Sequence, residues 1–135
     1  MVNKVDHIGI AVESIQEALA FWDQGLGLAS GHLEEVPDQK VRVAFLQVGE
    51  SHLELLEPTS LDSPVGKFLA NRGQGIHHIC LEVPDVQATL RHLGSLGLQL
   101  IDPAPRPGTG GSLVAFVHPK SAHGVLLELM QKPKT

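Results

Sequence analysis

The sequence predicts an α+β protein made of two tandem βαβββ modules, and three observations predict it. The first is internal repetition. His7-Ile8 returns as His78-Ile79, Val12 as Val83, Gln16 as Gln87, and Val43-Ala44-Phe45 as Val114-Ala115-Phe116, always at the same offset. Leu53-Glu54-Leu55 returns as Leu127-Glu128-Leu129 at a slightly larger offset, so the second copy carries a slightly longer turn. Matches holding one register over such a length mark a duplicated unit. The second observation is that apolar spacing in each copy runs from strand period to helix period and back. The third is punctuation: Ser14 and Asp85 stand where helices should begin, and Gly27 and Gly97 where they should end.

Each element follows from these signals. Residues 5–12 alternate, with Ile8, Ile10 and Val12 on one face and His7, Gly9 and Ala11 on the other. Ser14 with Glu17 three positions on forms a capping box for a helix through Ala18, Leu19 and Trp22. Strands are predicted at about 28–36, 41–48 and 51–56. The second copy reads as a strand over 79–83, an Asp85-capped helix through Leu90 and Leu93, and strands at about 98–101, 112–118 and 124–130. The repeats therefore span about 4–58 and 75–131, joined by a connector at about 59–74 with one short helix over 64–70. Each module carries its helix on one face of a mixed sheet.

Composition excludes several functions. Of the 135 residues 42% are hydrophobic and 19% charged, enough apolar material for a core. A net charge of −5 without a basic run argues against nucleic acid. No apolar run approaches a membrane span, so a membrane partner is not expected. The single cysteine, Cys80, cannot form an internal disulfide, which together with an N-terminus lacking an apolar leader points to the cytoplasm.

The candidate site comes from polar residues on strands whose other face is apolar. Ile8 and Ile10 turn to the helix, so His7 faces the open side. Leu53 and Leu55 flank Glu54, Ile79 follows His78, and Leu127 and Leu129 flank Glu128. Each module thus presents one His and one Glu at matched positions. Two imidazoles and two carboxylates, without thiolate, suit Mn, Co, Ni, Fe or Zn with positions left for a chelating substrate. His77, next to His78 in the chain, should face the other way and be structural. Cys80 reads as a packing residue, His52 and Glu57 as solvated strand-end residues, and His32, His92 and His123 as surface residues. The stretch 107–111 reads as a loop rimming the open face rather than a phosphate loop, since it has no Lys and no strand-to-helix setting.

On Asp6-His7-Ile8-Gly9-Ile10-Ala11-Val12, Leu53-Glu54-Leu55-Leu56-Glu57-Pro58, Gly75-Ile76-His77-His78-Ile79-Cys80-Leu81-Glu82-Val83 and His118-Pro119-Lys120-Ser121, the chain resembles the vicinal oxygen chelate (glyoxalase) superfamily. Within it the resemblance is to the methylmalonyl-CoA epimerase family and covers nearly the whole chain. It implies one domain over 1–135, with the modules closing an open, cup-shaped mixed sheet and the helices outside. It also implies one divalent metal per chain, cobalt first and nickel, manganese or zinc as alternatives, held by His7, Glu54, His78 and Glu128. The implied reaction interconverts (R)- and (S)-methylmalonyl-CoA through an enolate, an isomerase acting on an acyl-CoA. Glu128 would be both ligand and base, and Arg106 and Lys120 would clamp the coenzyme A phosphates. The second base stays open among Glu57, Gln47 and a metal-bound water, because the strand where some epimerases carry a glutamate reads Val41 to Phe45 here. A homodimer is the family expectation. The alternatives are a glyoxalase I-like lactoylglutathione lyase, and a metal-free antibiotic-binding module of the same fold.

Overall fold

The computed structural model describes residues 2–134. The chain divides into two compact units, one of residues 7–77 and one of residues 78–134 together with residues 2–6.

In the first unit the order is β1 (Lys4–Ala11, from His7 onward), α1 (Ile15–Leu19), β2 (Ser30–Val36), β3 (Val41–Val48) and β4 (Ser51–Pro58), followed by α2 (Pro64–Arg72). The strands lie in the order β2-β3-β4-β1, with β1 parallel to β4 and the other neighbours antiparallel. The βαβββ reading is borne out. Ser14 is extended, with φ −146°, and its Oγ accepts from the Glu17 N–H, as the capping box predicts. The Ile15 N–H donates to Glu57 Oε1 at 2.8 Å, satisfying a second orphan donor of the first turn. Past Leu19 the helix widens into π geometry over Ala20–Gly25, where the sequence predicts a uniform helix. Gly27, at φ 79°, then ends it, its N–H donating to Asp23 O. Ile10, Ala18, Leu19 and Trp22 pack onto buried Val12, Ile15, Ala44, Leu46 and Leu55.

The opposite face of this sheet is predicted open, but one end of it is covered. Ala11, Val41, Val43 and Leu56 are buried there with Val65, and Phe68 and Leu69 lie against them. The connector sequence explains this. Pro64 sits in the first turn, Ser63 Oγ accepts from the Gly66 N–H at 2.9 Å, and Val65, Phe68 and Leu69 form one helical stripe. The helix continues to Arg72, past the predicted end at position 70. Gly66 permits the close approach, since a Cβ there would stand 2.7 Å from Ser60 O.

In the second unit the order is β5 (Gly75–Glu82, from His78 onward), α3 (Val86–Ser95), β6 (Arg106–Pro107), β7 (Leu113–Val117) and β8 (Leu127–Gln131). The strands lie in the order β5-β8-β7-β6, with β5 parallel to β8. Asp85 caps α3 through the Ala88 N–H, and the Val86 N–H donates to Gln131 Oε1 at 2.9 Å. Glu57 and Gln131 are related by the offset that relates Glu54 to Glu128, and Ile15 and Val86 by the offset that relates His7 to His78. The repeat therefore extends to this second helix cap. Leu90 and Val86 bury against Val83, Ala115, Val117 and Leu129.

The predicted strand at about 98–101 does not form. Leu100 makes a single bridge to Val117, and Asp102 turns back so that its carboxylate accepts from the Phe116 N–H at 2.8 Å. Pro103, Pro105 and Pro107 remove the amide donors that a longer ladder needs, so the edge strand shrinks to Arg106–Pro107. Among the described residues no helix is long and apolar enough to cross a membrane.

Candidate metal centre

The strand pleat alone decides which side chains reach the face away from α1. In β4, Leu53 and Leu55 enter the α1-side core, so His52, Glu54 and Leu56 face the other way. Parallel β1 sets His7 opposite His52, Gly9 opposite Glu54 and Ala11 opposite Leu56. The α2 helix closes the Ala11–Leu56 end, leaving the His7–Glu54 stretch beyond it. There His7 Nδ1 lies 3.3 Å from Glu54 Oε2, with the imidazole only 8% exposed. The same oxygen accepts from His52 Nε2 at 2.8 Å. The two imidazoles stack with centroids 5.0 Å apart. Phe45, opposite Glu54 on β3, lies 5.7 Å from the His52 ring and carries His32 stacked on it at 4.7 Å.

The second unit repeats the arrangement. Leu81, Leu127 and Leu129 pack toward α3, while Cys80, Val114 and Met130 bury on the other face. By alternation His78 and Glu128 share that second face, and His78 Nε2 lies 3.2 Å from Glu128 Oε1. The Phe116 ring, opposite Glu128 on β7, meets His78 edge-on at 5.8 Å. The Arg106 guanidinium stands 5.5 Å over Phe116 and 3.5 Å from the Asp102 carboxylate.

Each unit therefore brings together one imidazole nitrogen and one carboxylate oxygen within 3.3 Å, both mostly withdrawn from water. Withdrawn carboxylates require a positive partner or hydrogen-bond donors. Nitrogen and oxygen donors without thiolate fit a borderline divalent ion. His77 has an edge-to-face contact with Phe68 at 5.1 Å, matching its structural reading. Lys120 is exposed in a turn where its backbone N–H donates to His118 Nδ1.

Two residues depart from the reading of the sequence. Glu57 is no solvated strand-end residue. Its Oε1 caps Ile15 and its Oε2 binds Arg42 Nη1 at 2.8 Å, on the α1 side of the sheet. His52 is not merely solvated either, since its ring meets Glu54 and His7, and the repeat does not point to it, because the matching position, 126, is leucine. The signal lies in the strand period instead, since residues 52 and 54 must share a face. Gln47 is also committed, donating to Gly49 O at 2.7 Å.

The chain matches, over residues 6–116, the family described as Glyoxalase/Bleomycin resistance protein/Dioxygenase superfamily. It is 48% identical to the uncharacterized protein YqjC of Bacillus subtilis, over 96% of this chain and 93% of that one. It is 37% identical to the ethylmalonyl-CoA/methylmalonyl-CoA epimerase of Cereibacter sphaeroides, over 97% of this chain and 99% of the relative. A solved structure of a Streptomyces coelicolor methylmalonyl-CoA epimerase variant, in complex with 2-nitronate-propionyl-CoA, superposes with a TM-score of 0.91. Its identity is 40%, over 98% of this chain and 96% of that one. A lactoylglutathione lyase of Arabidopsis thaliana aligns at 25% identity, with this chain spanning 44% of it.

Proposed function

This chain belongs to the glyoxalase/bleomycin resistance protein/dioxygenase superfamily, and from that premise we propose that it is an isomerase interconverting (R)- and (S)-methylmalonyl-CoA. The observation that carries the reading is the matched His–Glu pair in each repeat, on a chain whose full-length relatives are named epimerases of this acyl-CoA. His7, Glu54, His78 and Glu128 together hold one divalent ion, cobalt first and nickel, manganese or zinc otherwise. Support for this set comes from the repeat register and the donor chemistry. When bound, the ion supplies Lewis-acid stabilisation of the charge that develops on the substrate oxygens as the α-proton leaves.

The remaining work falls to the chain. Glu128 withdraws the α-proton, its carboxylate lying 3.2 Å from the His78 imidazole. Inversion needs a second proton carrier on the opposite face of the carbon. Glu57 and Gln47 do not serve, because the first is fixed between Ile15 and Arg42 and the second is bonded to Gly49. The strand from Val41 to Phe45, where by the resemblance some epimerases carry a glutamate, offers no carboxylate here. Arg106, held over Phe116 on the face that bears His78 and Glu128, offers planar donors to a coenzyme A phosphate. Lys120 offers a second, exposed charge. The chain works as one domain of two repeats, about 4–58 and 75–131 with a connector at about 59–74, as a cytoplasmic homodimer.

The test is proton NMR of methylmalonyl-CoA in D2O with cobalt-loaded protein. Disappearance of the α-proton signal, prevented by a chelator, is the expected result. A folded, metal-loaded protein that leaves the signal intact overturns the reading.

A further inference from the structure

We propose that His52 is a positioning residue that fixes the Glu54 carboxylate for the metal, an inference that rests on the four-ligand reading above. Three observations support that role. Glu54 Oε2 lies 2.8 Å from His52 Nε2, and since an ionised carboxylate only accepts, Nε2 carries the hydrogen. The ring is itself held, with the His7 imidazole 5.0 Å away and the Phe45 ring 5.7 Å away. Its backbone is fixed by ladder positions on both flanks, opposite His7 in β1 and Gln47 in β3.

The chemistry of position 54 explains why a donor belongs there. The torsions of a glutamate side chain must all be frozen before its carboxylate meets an ion. A hydrogen bond from outside the ligand set freezes them in advance, and it orients the group as outer partners of metal ligands generally do. The second repeat has leucine at the corresponding position 126, so the device belongs to the first repeat alone.

The experiment compares His52→Phe, which keeps a ring but loses the donor, with His52→Gln, which keeps a donor but loses the ring. The full chain is titrated with Co2+ alone, read by the visible absorption of the bound ion and by chelator competition. The thermal midpoint of the metal-free protein is followed in parallel. His52→Phe is expected to weaken cobalt binding about 10–100-fold and to shift the absorption bands. His52→Gln should stay within a few-fold of wild type, and neither should move the metal-free midpoint appreciably. In a Glu54→Ala background, His52→Phe should change the residual cobalt affinity little, because the acceptor it serves is gone. Wild-type cobalt binding by His52→Phe overturns the proposal. So does an equal loss in His52→Phe and His52→Gln that persists with Glu54→Ala. His78→Ala separates the two readings. If it abolishes cobalt binding while His52→Phe does not weaken it, only the positioning role fails. If it leaves cobalt binding intact, the ligand set fails and the positioning role with it.

Discussion

The two repeats present the same pair of side chains and surround it differently. In the first, Glu54 is met by two imidazoles, and the neighbouring Phe45 carries a third, His32. In the second, the corresponding Phe116 carries a guanidinium, and leucine stands where the second imidazole would be. The sheet ends differ as well. Position 11 is alanine under the apolar stripe of α2, whereas its counterpart in the second repeat is Glu82, tied to Asn3 and Lys132. Duplication kept what the strand register must deliver and let the surroundings diverge. The first repeat surrounds its carboxylate with imidazoles, and the second sets a guanidinium over the matching phenyl ring.

The most severe way to break that comparison is to remove one imidazole from each half. With a shared ion, His7→Ala and His78→Ala should each eliminate cobalt binding and α-proton exchange. The loss should exceed the ~10–100-fold typical of an outer partner. His77→Ala, which loses an edge contact with Phe68, should lower the thermal midpoint and leave cobalt affinity alone. Direct titration with cobalt and the D2O exchange assay check all three. Tight binding in either His7→Ala or His78→Ala would mean that one half suffices. If His77→Ala instead lost the metal, the register of β5 would be shifted to the opposite face.

Much of this was legible in the sequence because period and repeat act through the backbone. Alternation placed Glu54 and Glu128 away from their leucine neighbours, and the two constant offsets paired the halves. Helix starts were legible because capping is local: Ser14 and Asp85 each accept from an N–H three positions on, as Ser63 also proves to do. What was not legible depends on contacts between distant segments. The sequence marks a short connector helix, but nothing local says which sheet face it will cover. The segment 98–101 has strand-like residues, yet Asp102 and the following prolines draw it away. Glu57 reads as a candidate base because its partners, Ile15 and Arg42, are distant in the chain.

Glu57 supplies the next comparison. If it and Gln131 are equivalent caps, Glu57→Ala and Gln131→Ala should each cost about 0.5–2 kcal/mol, the usual range for loss of a helix cap. Glu57→Ala should be the larger, since it also leaves Arg42 without its carboxylate. Neither should change the D2O exchange rate once the protein is folded and metal-loaded. Denaturant midpoints measure the first effect and NMR the second. A large fall in exchange for Glu57→Ala alone would return it to the candidate bases and end the equivalence.

The smallest effect concerns the two sheet ends and is read through pH. Hydrogen bonding from the Asn3 side chain, then from Lys132 with its charge, holds the Glu82 carboxyl below its usual value of 4.5, against the opposing cost of burial. A folded-state value below the unfolded one means that the unfolded chain takes up the proton first. The contribution of Glu82 is therefore complete above the unfolded value and is lost as pH falls through the folded one. Ala11, its counterpart, carries no proton, so acid should loosen this tether in the second unit and leave the Ala11–Leu56 end untouched. Glu82→Gln, which keeps the size of the side chain and loses the charge, should be less stable than wild type near neutrality. The two should converge below the folded-state value. Denaturant midpoints across that range, with amide exchange of Asn3 and Lys132 set against that of Ala11, give the readout. Parallel loss of stability in both proteins at every pH would remove Glu82 from the acid response. Equal loosening of Ala11 would show that the difference between the ends is not electrostatic.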